Sequence, residues 1–157
     1  MDRQTRKKLI DEYKDGYRQV ADAVAGATEQ ELDAHPAPGK WSTREIVHHL
    51  ADSEMTSAMR LRRLIAEDGP RIDGYDEAEY ARRLHYDRPI QPSLDAFKAA
   101  RVSTADILER LTETEWQRRG THSESGAYSV ERWLEIYAAH AHNHADQIRR
   151  ARASAKK

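Results

Sequence analysis

Apolar residues recur at three- and four-residue steps along most of this chain, a spacing that predicts helices rather than strands. Over residues 3 to 26, Leu9, Ile10, Tyr13, Tyr17, Val20 and Val24 line one face, and Gly26 ends the run. Thr28-Glu29-Gln30-Glu31 has the form of a capping box and predicts a short helical turn, after which His35-Pro36-Ala37-Pro38-Gly39 breaks the chain. Ser42-Thr43-Arg44-Glu45 is a second capping box, with Trp41 placed to pack on the first turn. The helix that it opens carries Ile46, Val47, Leu50, Leu61 and Leu64 and is expected to run to about Glu67, before Gly69-Pro70.

Residues 69 to 92 read as a long connection holding a short helix around Glu77 to Leu84. A third long helix starts near Pro92-Ser93 and carries Leu94, Phe97, Ile107, Leu108 and Leu111. Residues 112 to 128 are polar, contain Gly120 and Gly126, and read as a second long connection with room for a small hairpin near 117 to 127. The last helix runs from about Ser129 to Arg152, with Val130, Leu134, Tyr137, Ala141 and Ile148 on its core face. Four long helices joined through long crossovers predict an all-α, single-domain four-helix bundle over residues 1–157.

Hydrophobic residues make up 38% and charged residues 34% of the chain, as a thin amphipathic bundle requires. The formal net charge is -1, with 26 basic and 27 acidic residues interleaved, which argues against a nucleic-acid surface. The basic C-terminal run Arg149, Arg150, Arg152, Lys156, Lys157 complements the dipole at a helix end. No apolar leader or long uncharged apolar run is present, so a soluble, cytoplasmic protein without a membrane partner is expected. There is no cysteine, so any metal site must use His, Asp, Glu or external ligands.

Five of the eight histidines sit in two of the long helices. His140 and His144 are four residues apart and share one side of the last helix, beside the apolar stripe. His142 projects from the opposite edge of that stripe. An i,i+4 pair of imidazoles can hold a metal ion, and equally can be two boundary residues bonded to backbone or water. On the second long helix, His49 lies at the margin of the apolar arc while His48 points away. An imidazole from a facing helix would complete a three-histidine site with an open position, although spacing alone does not set His49 opposite the pair. Glu54 falls inside the apolar arc and needs a partner there: a liganding histidine to orient, or an Arg or Lys on a neighbouring helix. Met55 and Met59 lie off the arc, available for helix packing or a dimer contact.

The segments KWSTREIVHHLADSE (40–54), RIDGYDEAEYARR (71–83) and SESGAYSVERWLEIYAAHAHNHADQI (123–148) resemble the DinB superfamily, and most closely its YfiT-like branch, which includes the bacillithiol S-transferases. The resemblance covers most of the chain. It implies a four-helix bundle in which one histidine of the second long helix and two of the last hold a metal, here His49, His140 and His144. It also implies one divalent ion, zinc or nickel, and a homodimer. The activities it implies are thiol transfer with bacillithiol, mycothiol or glutathione, or a thiol-dependent isomerisation; other members are described as metal-dependent hydrolases. Two departures from the branch stand out: His122-Ser123-Glu124, in the loop expected to contact substrate, stands where the branch tends to have His-Pro-Glu, and Asn143-His144 of the last helix where adjacent histidines are common.

Three functions follow as expectations. The first is a metal-dependent transferase conjugating a low-molecular-weight thiol to a small electrophile, with Tyr75, Asp76, His122 and Glu124 as loop candidates for substrate contact or proton handling. The second is a metal-dependent hydrolase, which needs a base such as Glu54 or Glu124 beside the metal. The third is a non-catalytic bundle that binds metal or dimerises. In either catalytic case, the 69–92 and 112–128 connections are expected to line the cleft.

Overall fold

The helix starts follow from the caps. In the computed structural model, which describes residues 1–155, Asp2 accepts the Thr5 amide at 2.7 Å and opens α1 (Arg3–Val24). Thr28 and Ser42 each form a reciprocal capping box, opening the short α2 (Glu29–Asp33) and the long α3 (Thr43–Ala66). After Gly69, at φ +56°, come β1 (Arg71–Ile72) and α4 (Glu77–Arg83). Pro92 stands in the first turn of α5 (Gln91–Leu108), where its missing amide costs nothing. The chain then forms α6 (Glu113–Trp116), β2 (Arg119–His122), β3 (Gly126–Ser129) and α7 (Val130–Ser154). Lys156 and Lys157 of the basic terminal run lie outside the described residues.

The four long helices close into a ring: α1 lies along α7, α7 on α3, α3 on α5 and α5 on α1. Two apolar clusters fill it. One gathers Leu61, Leu64, Ile72, Trp133 and Leu134, the other Val20, Ile46, Leu50, Phe97 and Ile148. At the level between them sits a buried polar tie. Arg101 of α5 donates to Glu54 of α3 at 2.8 Å, to the Tyr13 carbonyl of α1 at 2.7 Å and to the Tyr137 carbonyl of α7 at 2.6 Å. The Tyr13 hydroxyl donates to the other Glu54 oxygen. One guanidinium thus holds all four long helices, and every group in the tie has a partner, which is what burial of charge requires.

The connections differ from the sequence reading in three places. α1 ends at Val24, two residues before Gly26. α5 ends at Leu108, because Thr112 and Glu115 form a third capping box that starts the separate α6 within the stretch read as a polar loop; Leu111 is left in the intervening turn. The hairpin of β2 and β3 is present, with Gly120 opposite Tyr128, and β1 adds to it in parallel through Ile72 opposite His122. A two-residue strand leaves too little alternation to be read from sequence. Met55 and Met59 are exposed on α3. No helix among the described residues is long and apolar enough to cross a membrane.

Candidate metal centre

His49 on α3 meets His140 and His144 on α7 across the seam of the bundle. Ring centroids are 5.7 Å apart for His49 and His140, 4.9 Å for His49 and His144, and 4.5 Å for His140 and His144. One ring nitrogen from each lies within 4.8 Å of the other two. The i,i+4 spacing stacks the α7 pair, and antiparallel packing sets His49 against it. His142, on the far edge of α7, is instead bonded through Nε2 to the Glu12 carbonyl of α1. His48 bonds Ser93 and the Arg88 carbonyl, anchoring α3 to the start of α5.

The triad is held neutral by burial. His49 is 2% exposed, and burial, followed by the neighbouring His144, brings its pKa down to about 3. Burial with His144 and His49 alongside brings His140 to about 2, and burial also lowers His144. Neutral imidazoles offer lone pairs, and the buried Nδ1 atoms of His49 and His140 have no hydrogen-bond partner among the described residues. The His144 Nδ1 is tied to the Gln147 side chain at 2.8 Å, which leaves Nε2 for the cluster. A divalent ion fits this donor set: unpartnered buried nitrogens, a second-residue bond fixing one ring, and spacing that small ring rotations would bring to metal–nitrogen distance.

The wall around the triad continues along the seam. The Trp41 ring covers His49 at 4.8 Å, about one turn beyond the packing expected of it. Tyr137 stands one turn before His140, with rings 5.6 Å apart, and its hydroxyl meets Arg60 of α3 at 3.3 Å. Arg60 lies eleven residues after His49, about three turns, and so on the same face. The sequence reading passed over Arg60 and Gln147; each is recoverable only by extending the His49 and His144 faces along their helices.

The loop candidates are distributed unevenly. Tyr75 is half-buried against Arg60 and Tyr80, with burial pushing its hydroxyl up to about 12. Asp76 is exposed and caps α4 through the Glu79 amide at 3.0 Å. His122 is buried on β2 against Tyr128, and its Nδ1 accepts the Glu124 amide at 3.2 Å. Glu124 is exposed, its carboxylate close over Gly74. Glu54 has both oxygens engaged by Tyr13 and Arg101, the ion-pair partner being the second of the two kinds expected for it. Among the described residues, no carboxylate joins the histidine cluster.

The same architecture occurs elsewhere. The profile of the DinB superfamily matches residues 12–148. A protein of Oceanobacillus iheyensis that carries the name "putative metal-dependent hydrolase" is 35% identical over 139 residues, covering 88% of this chain and 81% of that one. YfiT of Bacillus subtilis, carrying the same description, is 30% identical over 154 residues, 91% of this chain and 86% of its own. A YfiT structure, described as "a probable metal-dependent hydrolase with an unusual four-helix bundle topology", superposes with a TM-score of 0.89 at 27% identity, covering 94% of this chain and 86% of that one.

Proposed function

The chain belongs to the DinB superfamily, and on that footing we propose that it is a metal-dependent enzyme which holds one divalent ion through His49, His140 and His144 and transfers a small external thiol to an electrophile. The observation that carries the reading is the donor set itself: three neutral imidazoles and, among the described residues, no carboxylate in the cluster. Such a shell leaves the charge of a dication uncompensated, and the chemistry it would supply is to acidify an external thiol and hold it as an anion. The chain contains no cysteine, so the sulfur must come from a small molecule.

The chain's own residues have separate tasks. Burial keeps the three imidazoles unprotonated, and Gln147 fixes the ring of His144. Trp41 covers the His49 side, while His140 and His144 are only half-buried and leave an approach on the α7 side. Tyr137 presents its hydroxyl, bound to the Arg60 guanidinium, one turn from His140. A hydroxyl beside a cation is a competent donor to negative charge developing on an electrophile.

Hydrolysis is the second reading, favoured by the description of the relatives. It needs a base beside an activated water. Glu54 is committed to Arg101 and Glu124 lies over Gly74, so neither is bonded into the cluster. The two readings separate on one preparation. Cobalt-loaded protein titrated with millimolar thiol should develop a sulfur-to-metal charge-transfer band, and thiol conjugation to a model electrophile should require both metal and His49. Metal-dependent cleavage of an ester or amide without any such band would replace transfer by hydrolysis.

A further inference from the structure

We infer that Arg60, with the Tyr75 and Tyr137 hydroxyls, is a carboxylate-binding subsite for the small molecule whose reacting end lies at the histidine triad. The inference takes the position of the reacting end from the metal-centre reading, and adds the chemical class of the substrate's other end.

The strongest sign is how Arg60 differs from the buried arginines. Arg6 pairs with Glu113 and Glu131, Arg44 with Asp33 and Glu29, and Arg101 with Glu54. Arg60 has no carboxylate within ion-pair distance among the described residues. Its two terminal nitrogens reach only neutral oxygens, the Tyr137 hydroxyl at 3.3 Å and the Asp73 carbonyl at 2.7 Å. Its Nε is buried with no hydrogen-bond partner among the described residues. A guanidinium presents donors in a rigid fork that matches a carboxylate, and a buried donor left without an acceptor is unfavourable.

A second group with the same defect lies beside it. The Tyr75 hydroxyl is also buried and, among the described residues, makes no hydrogen bond of full geometry, Ser53 being the polar side chain beside it; the Arg60 guanidinium lies 5.9 Å from its ring centre. Two adjacent donors without a well-formed acceptor together offer a carboxylate two contacts. A carboxylate that displaced the Asp73 carbonyl from the guanidinium, at the surface end of the contact, would exchange a neutral acceptor for a charged one. With a small shift of the 73–75 segment it would also supply Nε and the Tyr75 hydroxyl with their acceptor. Glu77 sits outside ion-pair distance of Arg60; burial raises its pKa, the charge of Arg60 opposes that rise, and Glu124 adds to it.

Placement links this subsite to the triad. His49 and Arg60 share a face of α3, and Tyr137 bridges the interval, its ring 5.6 Å from His140 and its hydroxyl on Arg60. One extended small molecule lying along Tyr137 would span from the histidines to the guanidinium. A substrate with a carboxylate at one end and its reacting group at the other fits that span; a neutral one leaves Arg60 unmatched.

The test uses the full-length protein, zinc-loaded, with mercaptohexanoate and mercaptohexanol as matched probes. The Nε–H resonance of Arg60, assigned by its loss in Arg60→Lys, should shift saturably with the acid and not with the alcohol. Calorimetry should give the acid about tenfold tighter binding, in keeping with a charge-assisted pair. Arg60→Gln should remove that preference with zinc content unchanged, and Tyr75→Phe should weaken it. Equal binding of acid and alcohol, or a preference that survives in Arg60→Gln, would overturn the subsite. If zinc does not bind, the metal-centre reading fails separately, and the subsite is judged on the metal-free protein with hexanoate: absence of a shift at Arg60 Nε–H overturns it there too.

Discussion

Arg101 and Glu54 form an ion pair at 2.8 Å, Arg101 being 1% exposed and Glu54 fully buried, and the same guanidinium donates to the backbone of α1 and α7. Removing one partner strands the other. Arg101→Met should lower unfolding stability by about 3–5 kcal/mol, while joint replacement with Glu54→Leu should recover part of that loss. Urea denaturation of the two single variants and the double variant measures the coupling. Glu54→Gln should keep its metal content, since Glu54 serves Arg101 and Tyr13 rather than the histidines.

Gly16 packs α1 tightly against α7. A Cβ there would stand 2.7 Å from the Ala141 Cβ and 3.0 Å from the Arg101 guanidinium. Gly16→Ala should therefore destabilise by about 1–3 kcal/mol, despite the better helix propensity of alanine. Adding Ala141→Gly should relieve part of the strain. Thermal unfolding of the single and double variants checks both signs.

Alkaline pH should unfold the protein through its buried tyrosines. Burial raises the pKa of Tyr13, Tyr86 and Tyr128, and brings Tyr75 to about 12, against an ordinary value of 10.0. A raised folded-state pKa contributes stability that is whole below pH 10 and is lost as pH climbs through the folded value. Each such tyrosine should cost up to about 1.4 kcal/mol per pH unit in that window. Tyrosinate absorbance from these four should appear together with loss of the helical circular dichroism signal; ionisation well before unfolding would contradict their burial.

Hydrophobic periodicity and caps made the bundle legible. Thr28, Ser42 and their partner glutamates opened α2 and α3 as read, because capping chemistry is local. The α7 histidine pair was legible for the same reason: four residues on a helix fix two rings on one side. Whether His49 faced that pair was not, since it depends on how α3 and α7 are rotated in the bundle, and there the family resemblance supplied what the spacing left open. Arg101 escaped notice because an arginine on an amphipathic helix is ordinarily a surface residue; nothing local distinguishes it from Arg110. β1 escaped because two residues pair only once the β2–β3 hairpin exists.

Metal content of five purified proteins tests the central claim most directly. Wild type and His142→Ala, dialysed against zinc or nickel and measured by elemental analysis, should each retain one ion per chain. His49→Ala, His140→Ala and His144→Ala should each lose tight binding, because a two-imidazole remnant cannot close the site. His142 is the control of choice, lying on the same helix but bonded to the Glu12 carbonyl of α1. Full occupancy in any of the three variants, or loss in His142→Ala equal to theirs, would contradict the three-histidine centre.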